Sequence, residues 1–142
     1  MKSVDELAVQ LTGLLSDRPE IQEAYLFGSC ARGMARAHSD IDVAVLVDEE
    51  RLAPSGFGYR ATLTTDLMKG LGTNQVDVVL LNQAPPLLYH RVLRDGVRLL
   101  SRDLRATTAR EGRALSRYCD YAPQLAKIEA ALIVAREPEA TS

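Results

Sequence analysis

Short apolar runs rich in β-branched and aromatic residues alternate along this chain with segments whose apolar residues recur at helical spacing. The apolar runs cover residues 24–27, 41–47, 76–81 and 97–100. Runs of this length, bounded by Gly, Pro, Asn or Asp, predict β-strands. The helical patterns cover residues 5–16, 31–37, 57–71, 86–94 and a long segment from Asp103 onward. Strands that alternate with helices predict an α/β or α+β domain built on a small sheet.

The composition is that of one ordinary globular domain. The chain has 142 residues, of which 46% are hydrophobic and 25% charged, which excludes a disordered or fibrous chain. No apolar stretch is long enough for a membrane span. Two cysteines, Cys30 and Cys119, predict reduced thiols in the cytoplasm rather than a disulfide framework. We expect a core over residues 1–102, a helical extension over 103–137 and a flexible tail over 138–142.

Charge is distributed unevenly, because the first fifty residues hold 10 acidic and 4 basic side chains while the rest of the chain has a basic excess. At about 100° per residue, the terminal helical segment divides into an apolar and a basic face. The apolar face holds Leu104, Leu115, Tyr118, Ala122 and Leu125, and the basic face holds Arg102, Arg110, Arg113 and Arg117. The basic face is either solvated or a docking surface for an acidic partner. Nucleic-acid binding is disfavoured because the whole chain is acidic, and Pro123 predicts a bend or a break in the helix.

A glycine and a serine follow the first predicted strand, at Gly28 and Ser29. Glycine lets the backbone approach a ligand closely, and a serine at the start of a helix adds a hydroxyl to the free N–H groups there. The turn is therefore a candidate phosphate site. Arg32, in the helix that follows, is either a further phosphate contact or part of a solvated face.

Three aspartates accompany this turn in the predicted sheet. Asp40 and Asp42 are two residues apart, so their carboxylates point to the same side of a strand. Asp77 lies in another apolar strand, where an unpaired charge would be costly. Carboxylates that repel each other are drawn together by Mg²⁺, which prefers oxygen ligands. A triad able to hold two metal ions beside a phosphate turn is what nucleotidyl transfer requires.

These residues resemble a known family. Gly28-Ser29-Cys30-Ala31-Arg32-Gly33, followed by Ser39-Asp40-Ile41-Asp42, is similar to the G-S-x10-D-x-D signature of the nucleotidyltransferase β superfamily. Within that superfamily the chain resembles the minimal nucleotidyltransferases that act as MntA-type antitoxins beside HEPN-domain toxins. Residues 76–88 and 96–103 resemble the second half of the same family, so the resemblance covers about residues 5–137.

The resemblance implies a minimal nucleotidyltransferase fold, with a small mixed sheet flanked by helices. It also implies that Asp40, Asp42 and Asp77 hold Mg²⁺, in two ions, and that Gly28 and Ser29 hold the triphosphate of ATP. The implied activity is AMP transfer to a tyrosine of a cognate HEPN toxin, which silences the toxin's RNase. Two positions depart from the family pattern: Cys30 replaces a frequent aromatic residue, and Met34 replaces a residue that is often acidic.

Two other functions share these features. The same metal site would serve nucleotidyl transfer to a small molecule such as an aminoglycoside, and an antitoxin could instead act by binding alone through residues 103–137. Cys30 is interpreted as a packing residue rather than a nucleophile, because no base accompanies it. His38 and His90 lack the spacing of metal ligands.

Overall fold

The computed structural model describes residues 3–31, 40–52 and 57–140. Five helices and four strands follow one another along the described chain. The helices are α1 (Val4–Ser16), α2 (Gly28–Ala31), α3 (Phe57–Leu71), α4 (Pro86–Asp95) and α5 (Leu104–Ala140). The strands are β1 (Ile21–Phe27), β2 (Ile41–Val47), β3 (Val76–Leu80) and β4 (Val97–Ser101), and short 3-10 turns cover Glu49–Arg51 and Leu81–Gln83.

The four strands form one mixed sheet in the order β3-β2-β1-β4. β1 pairs antiparallel with both β2 and β4, whereas β2 and β3 are parallel. The predicted α/β class with a small mixed sheet is therefore confirmed. The carboxyl end of β1 and the amino ends of β2 and β3 lie at the same end of the sheet.

Local signals account for most element boundaries. Ser3 caps α1, since its hydroxyl oxygen accepts a hydrogen bond from the backbone N–H of Glu6 at 3.1 Å, as a capping box requires. The bounds of β2 and α3 agree with the sequence prediction. β1 begins at Ile21, three residues before the predicted start. Most of the short helix predicted over 31–37 lies outside the described residues.

Each face of the sheet is covered by helices. Leucines of α1 and α3 pack on one face against β-strand residues that include Ala24, Leu26, Val43 and Val45. On the other face, Tyr25, Phe27 and Ala44 pack with Val92 of α4. Because neighbouring residues of a strand point to opposite faces, the alternation of these two sets defines the face on which each polar strand residue lies.

The terminal helix is turned differently from the sequence prediction. Thr107 and Ala114 are buried, whereas Leu104 is 61% exposed and Leu115 45% exposed. The predicted apolar face is therefore wrong for its first half. Tyr118 is half-buried and stacks on His90 of α4, with ring centroids 3.6 Å apart. The helix also continues through Pro123 to Ala140 as one element, which excludes a break at Pro123 and leaves the alternative of a single helix.

A buried ion pair explains the orientation of α5. Glu23 of β1 is fully buried, and Arg110 of α5 donates a hydrogen bond to its carboxylate. A buried carboxylate is costly unless it is paired. The side of α5 that carries Arg110 therefore faces the sheet, and Leu104 and Leu115 face solvent. Arg102 precedes the helix, and its guanidinium donates to the backbone oxygens of Ile21, Ser16 and Arg18. The prediction that these two arginines lie on a free basic face is therefore wrong.

We found no helix within the described ranges that combines the length and the hydropathy needed to cross a membrane.

Candidate active site

The turn after β1 approaches the second strand very closely. Gly28 follows Phe27 with φ of +76°, a left-handed conformation that side chains rarely adopt. A Cβ atom on Gly28 would lie 2.2 Å from Oδ2 of Asp42. Only glycine fits here, because any side chain would displace the Asp42 carboxylate. Helix α2 begins at Gly28, and Ser29 in its first turn is half-buried.

Sheet register brings two of the predicted carboxylates side by side. Asp42 lies opposite Phe27 in the antiparallel pair and beside Asp77 in the parallel pair. Asp42 and Asp77 each lie two residues before a strand residue packed on the α4 face, Ala44 and Val79. Both carboxylates therefore belong to that face of the sheet. Sequence spacing alone could not establish this pairing, which depends on the register of β2 and β3.

The electrostatics of Asp42 reflect this crowding. Burial, and after it the nearby negative charges of Asp77 and Asp40, together raise the pKa of Asp42 to about 6. The same environment raises the pKa of the Cys30 thiol, through burial first and then through Asp42 and Asp40. An excess of negative charge that raises carboxyl pKa values is typical of functional sites and of cation-binding sites.

Asp40 lies immediately before β2 and is exposed. Its backbone oxygen accepts a hydrogen bond from Sγ of Cys30 at 3.4 Å. Cys30 is buried in the core between the sheet, α1 and α3, which agrees with the interpretation that it packs rather than reacts. Arg32 and His38 lie outside the described residues, so their predicted roles stay predictions.

The donor chemistry of this end of the sheet fits a hard divalent cation. In the part of the chain that the structure describes, no group of three or more His, Cys, Asp or Glu side chains is arranged so that it could hold a metal ion as it stands. Asp40, Asp42 and Asp77 nevertheless offer only oxygen ligands, which Mg²⁺ prefers. Their mutual repulsion would be relieved by a cation between them. The three-carboxylate ligand set stays a prediction.

Sequence reasoning missed one residue of the site. Arg60 of α3 reaches around the edge strand β3, where its Nη2 donates to Oδ1 of Asp77 at 3.3 Å. Its Nε donates to the backbone oxygen of Val78 at 2.6 Å, which anchors the guanidinium. No motif marks Arg60, because the contact depends on how α3 packs against β3.

A glycine turn at the end of one strand, carboxylates at the start of the next two and a short helix after the turn define a nucleotidyltransferase-type site. The family of polymerase beta nucleotidyltransferases matches residues 10–105. This match covers more than half of the chain, so the chain belongs to that family.

One relative with a described function gives a more specific comparison than the family does. The chain is 33% identical over 100 residues to the protein adenylyltransferase MntA of Aphanizomenon flos-aquae (strain 2012/KM1/D3), an alignment that covers 66% of each chain. The chain thus spans just under two thirds of that relative's length.

Solved structures agree with the fold over a longer span. A chain of a toxin–antitoxin crystal structure with AMP-PNP superimposes with a TM-score of 0.72 and 29% identity, covering 88% of this chain and 98% of the other. A chain of the complex between the tri-AMPylated Shewanella oneidensis HEPN toxin and its MNT antitoxin gives a TM-score of 0.67 and 27% identity. This alignment covers 91% of the present chain and 98% of the other.

Proposed function

We propose that this protein is an antitoxin that transfers AMP from ATP to a tyrosine hydroxyl of a cognate HEPN-domain toxin, in the presence of Mg²⁺. The observation that carries the proposal is the crowding of Gly28, Asp42 and Asp77 at one end of the sheet. The similarity to an MntA adenylyltransferase and to toxin–antitoxin complexes supports the choice of acceptor. Since the reaction uses ATP, we place the protein in the cytoplasm.

Each residue of the site has a proposed role. Asp40, Asp42 and Asp77 hold two Mg²⁺ ions, which when bound neutralise charge on the phosphates and on the leaving group. Gly28 and Ser29 present backbone N–H groups and a hydroxyl to the triphosphate, and Arg32 is a further phosphate contact. Arg60 holds Oδ1 of Asp77 and so orients that carboxylate.

The reaction is an in-line displacement at the α-phosphorus of ATP. The tyrosine oxygen forms a bond to that phosphorus while the bond to the bridging oxygen breaks, and pyrophosphate leaves with the electron pair. Asp77 orients the incoming hydroxyl and accepts its proton. Glycine at position 28 permits this because its turn leaves the Asp42 carboxylate in place.

A transfer assay tests the proposal directly. The purified protein is incubated with Mg²⁺, labelled ATP and the product of the neighbouring gene, and the partner is then analysed by intact-mass and peptide mass spectrometry. We expect an AMP adduct on a tyrosine with the wild type and none with Asp42→Asn. Asp5→Asn, which removes an exposed carboxylate of α1, is the matched control and should retain transfer.

The same assay separates the two other functions. No adduct on the partner with wild-type protein would contradict the proposal, as would an adduct that persists in Asp42→Asn. Neutralisation of the partner by an Asp40→Ala/Asp42→Ala variant would indicate an antitoxin that acts by binding. Turnover of a purified aminoglycoside, with no adduct on the partner, would indicate a small-molecule nucleotidyltransferase.

A further inference from the structure

A cleft of about 620 Å³ lies at the end of the sheet opposite Gly28 and Asp42. We call it the α5 cleft. It lies between the first half of α5 and the acidic turn that follows β2. Its lining includes Asp48, Glu49, Leu81, Tyr89, Arg113 and Arg117. It shares no residue with the candidate active site.

Two arginines on the α5 wall of this cleft are available for a partner. Arg113 and Arg117 are exposed, and neither forms a hydrogen bond or ion pair with any residue that the structure describes. Like charges four residues apart on a helix repel each other, so placing Arg113 and Arg117 together on one wall carries an electrostatic cost. Arg110, one turn earlier, differs because it is already paired with Glu23.

No carboxylate of the acidic wall forms an ion pair with Arg113 or Arg117 among the described residues. Asp48 pairs with Arg51 at 3.4 Å, Glu49 accepts a hydrogen bond from the side chain of Asn82 at 3.4 Å, and Glu50 also lines this wall. Between the two walls, Leu46, Leu81 and Tyr89 contribute apolar and aromatic surface. Arginine and tyrosine beside apolar surface are the residue types that dominate protein–protein interfaces.

The surface continues beyond the cleft along α5. Thr107 and Ala114 are buried, and steps of seven residues from them lead to Tyr121 and Ile128, with Leu132 one turn further on. Ile128 and Leu132, on this continued face, are 51% and 52% exposed. From Arg110 to Leu132 the helix rises about 33 Å at 1.5 Å per residue. A surface of this length suits a protein rather than a small molecule.

We propose that the α5 cleft and the exposed Ile128–Leu132 face together form the docking surface for the protein partner, which presents acidic side chains to Arg113 and Arg117. The inference rests on the proposed function only in taking the acceptor to be a protein. Docking at this end of the sheet, away from Gly28 and Asp42, leaves the active site open to ATP and to the acceptor tyrosine.

Charge reversal tests the arginines without any catalysis. The affinity for the partner, the product of the neighbouring gene, is measured by titration calorimetry without ATP. We expect Arg113→Glu/Arg117→Glu to weaken binding at least tenfold. Arg91→Glu/Arg105→Glu, which changes the same charge at two exposed arginines outside the cleft, should bind within twofold of the wild type. Higher salt should weaken the wild type more than the cleft variant, because salt screens charge pairs.

A second pair of variants tests the apolar part of the surface. Ile128→Ser/Leu132→Ser should weaken binding, whereas Val9→Ser, which alters an apolar residue of α1 that is 73% exposed, should not. Thermal unfolding of every variant verifies that the fold is kept.

Three outcomes are decisive. Unchanged affinity of Arg113→Glu/Arg117→Glu for the partner overturns the docking surface. Loss of inorganic phosphate or ATP binding by that variant, with the partner still bound, assigns the cleft to a small anion and also overturns it. Weakened binding with no AMP adduct in the wild type would support the surface while contradicting the proposed transfer.

Discussion

Gly28 and Asp42 are in such close contact that a single added carbon would bring them into collision, at 2.2 Å from the carboxylate oxygen. The contact joins the turn after β1 to the start of β2, across the antiparallel pair of Phe27 and Asp42. The Asp42 carboxylate can occupy its position only because residue 28, fourteen positions earlier in the chain, has no side chain.

Gly28→Ala should therefore harm activity more than stability. Left-handed backbone costs a non-glycine residue about 1–2 kcal/mol, and the methyl group would also displace Asp42. Gly72→Ala is the matched control, because Gly72 has φ of +71° with nothing within 4 Å of an added Cβ. We expect both variants to lose about 1 kcal/mol or more of stability in denaturant unfolding. Only Gly28→Ala should lose AMP transfer, by about a hundredfold, as expected when reacting groups are misplaced by an ångström.

The raised pKa of Asp42 predicts that this carboxylate destabilises the metal-free protein at neutral pH. A carboxyl group with a pKa of about 6 in the folded chain and near 3.8 in the unfolded chain lowers stability as pH rises from about 4 to 7. Asp42→Asn should consequently raise the thermal unfolding temperature at pH 7.5 in EDTA. The gain should shrink toward pH 4, where the carboxyl is protonated in the folded state and partly protonated in the unfolded state. A constant gain across this range would contradict the assignment.

Divalent cations should reverse that difference. A ligand that binds only the folded state stabilises it by an amount that grows with the logarithm of its concentration over its dissociation constant. Millimolar Mg²⁺ with ATP should therefore raise the unfolding temperature of the wild type, and should raise that of Asp42→Asn much less. Equal stabilisation of the two proteins would show that Asp42 takes no part in holding the cation.

Arg60 is expected to act through Asp77. Because outer residues that orient metal ligands typically contribute 10–100-fold to affinity or activity, Arg60→Met should reduce AMP transfer and Mn²⁺ affinity about tenfold. In an Asp77→Asn background the same substitution should cause little further loss, since residues in contact are not additive. The control is Arg18→Met, which breaks an ion pair with Asp66, another residue of α3. Additive losses would contradict a role through Asp77.

The buried pair of Glu23 and Arg110 should dominate the docking of α5 on the sheet. Arg110→Met leaves Glu23 buried without its cation, which typically costs about 3–5 kcal/mol. Glu23→Leu combined with Arg110→Met should be more stable than Arg110→Met alone, because no charge is then left unpaired. Urea unfolding of the two variants measures this difference. A double variant less stable than Arg110→Met would contradict the expected cost of leaving Glu23 buried and unpaired.

Sequence patterns predicted the elements of this fold well where a single rule governed them. β2 and α3 have the predicted bounds, since each has an uninterrupted apolar pattern between turn residues. The spacing of Gly28, Ser29, Asp40 and Asp42 indicated a candidate site, because glycine and serine suit phosphate binding and aspartates suit a divalent cation. The apolar pattern of α5 gave a wrong prediction of which side of the helix is buried. The buried carboxylate of Glu23, on β1, determined which side of α5 faces the sheet.

The sequence by itself determined the class of fold and singled out the candidate phosphate turn and the candidate carboxylates, since these depend on local periodicity and residue chemistry. Only the tertiary structure decided three further relationships: that Asp42 pairs with Asp77, that Arg60 contacts Asp77, and that Arg113 and Arg117 line a cleft. Each of these depends on strand register or helix rotation. Both are determined by the balance of burial and charge over the whole domain, which no single segment of the chain contains.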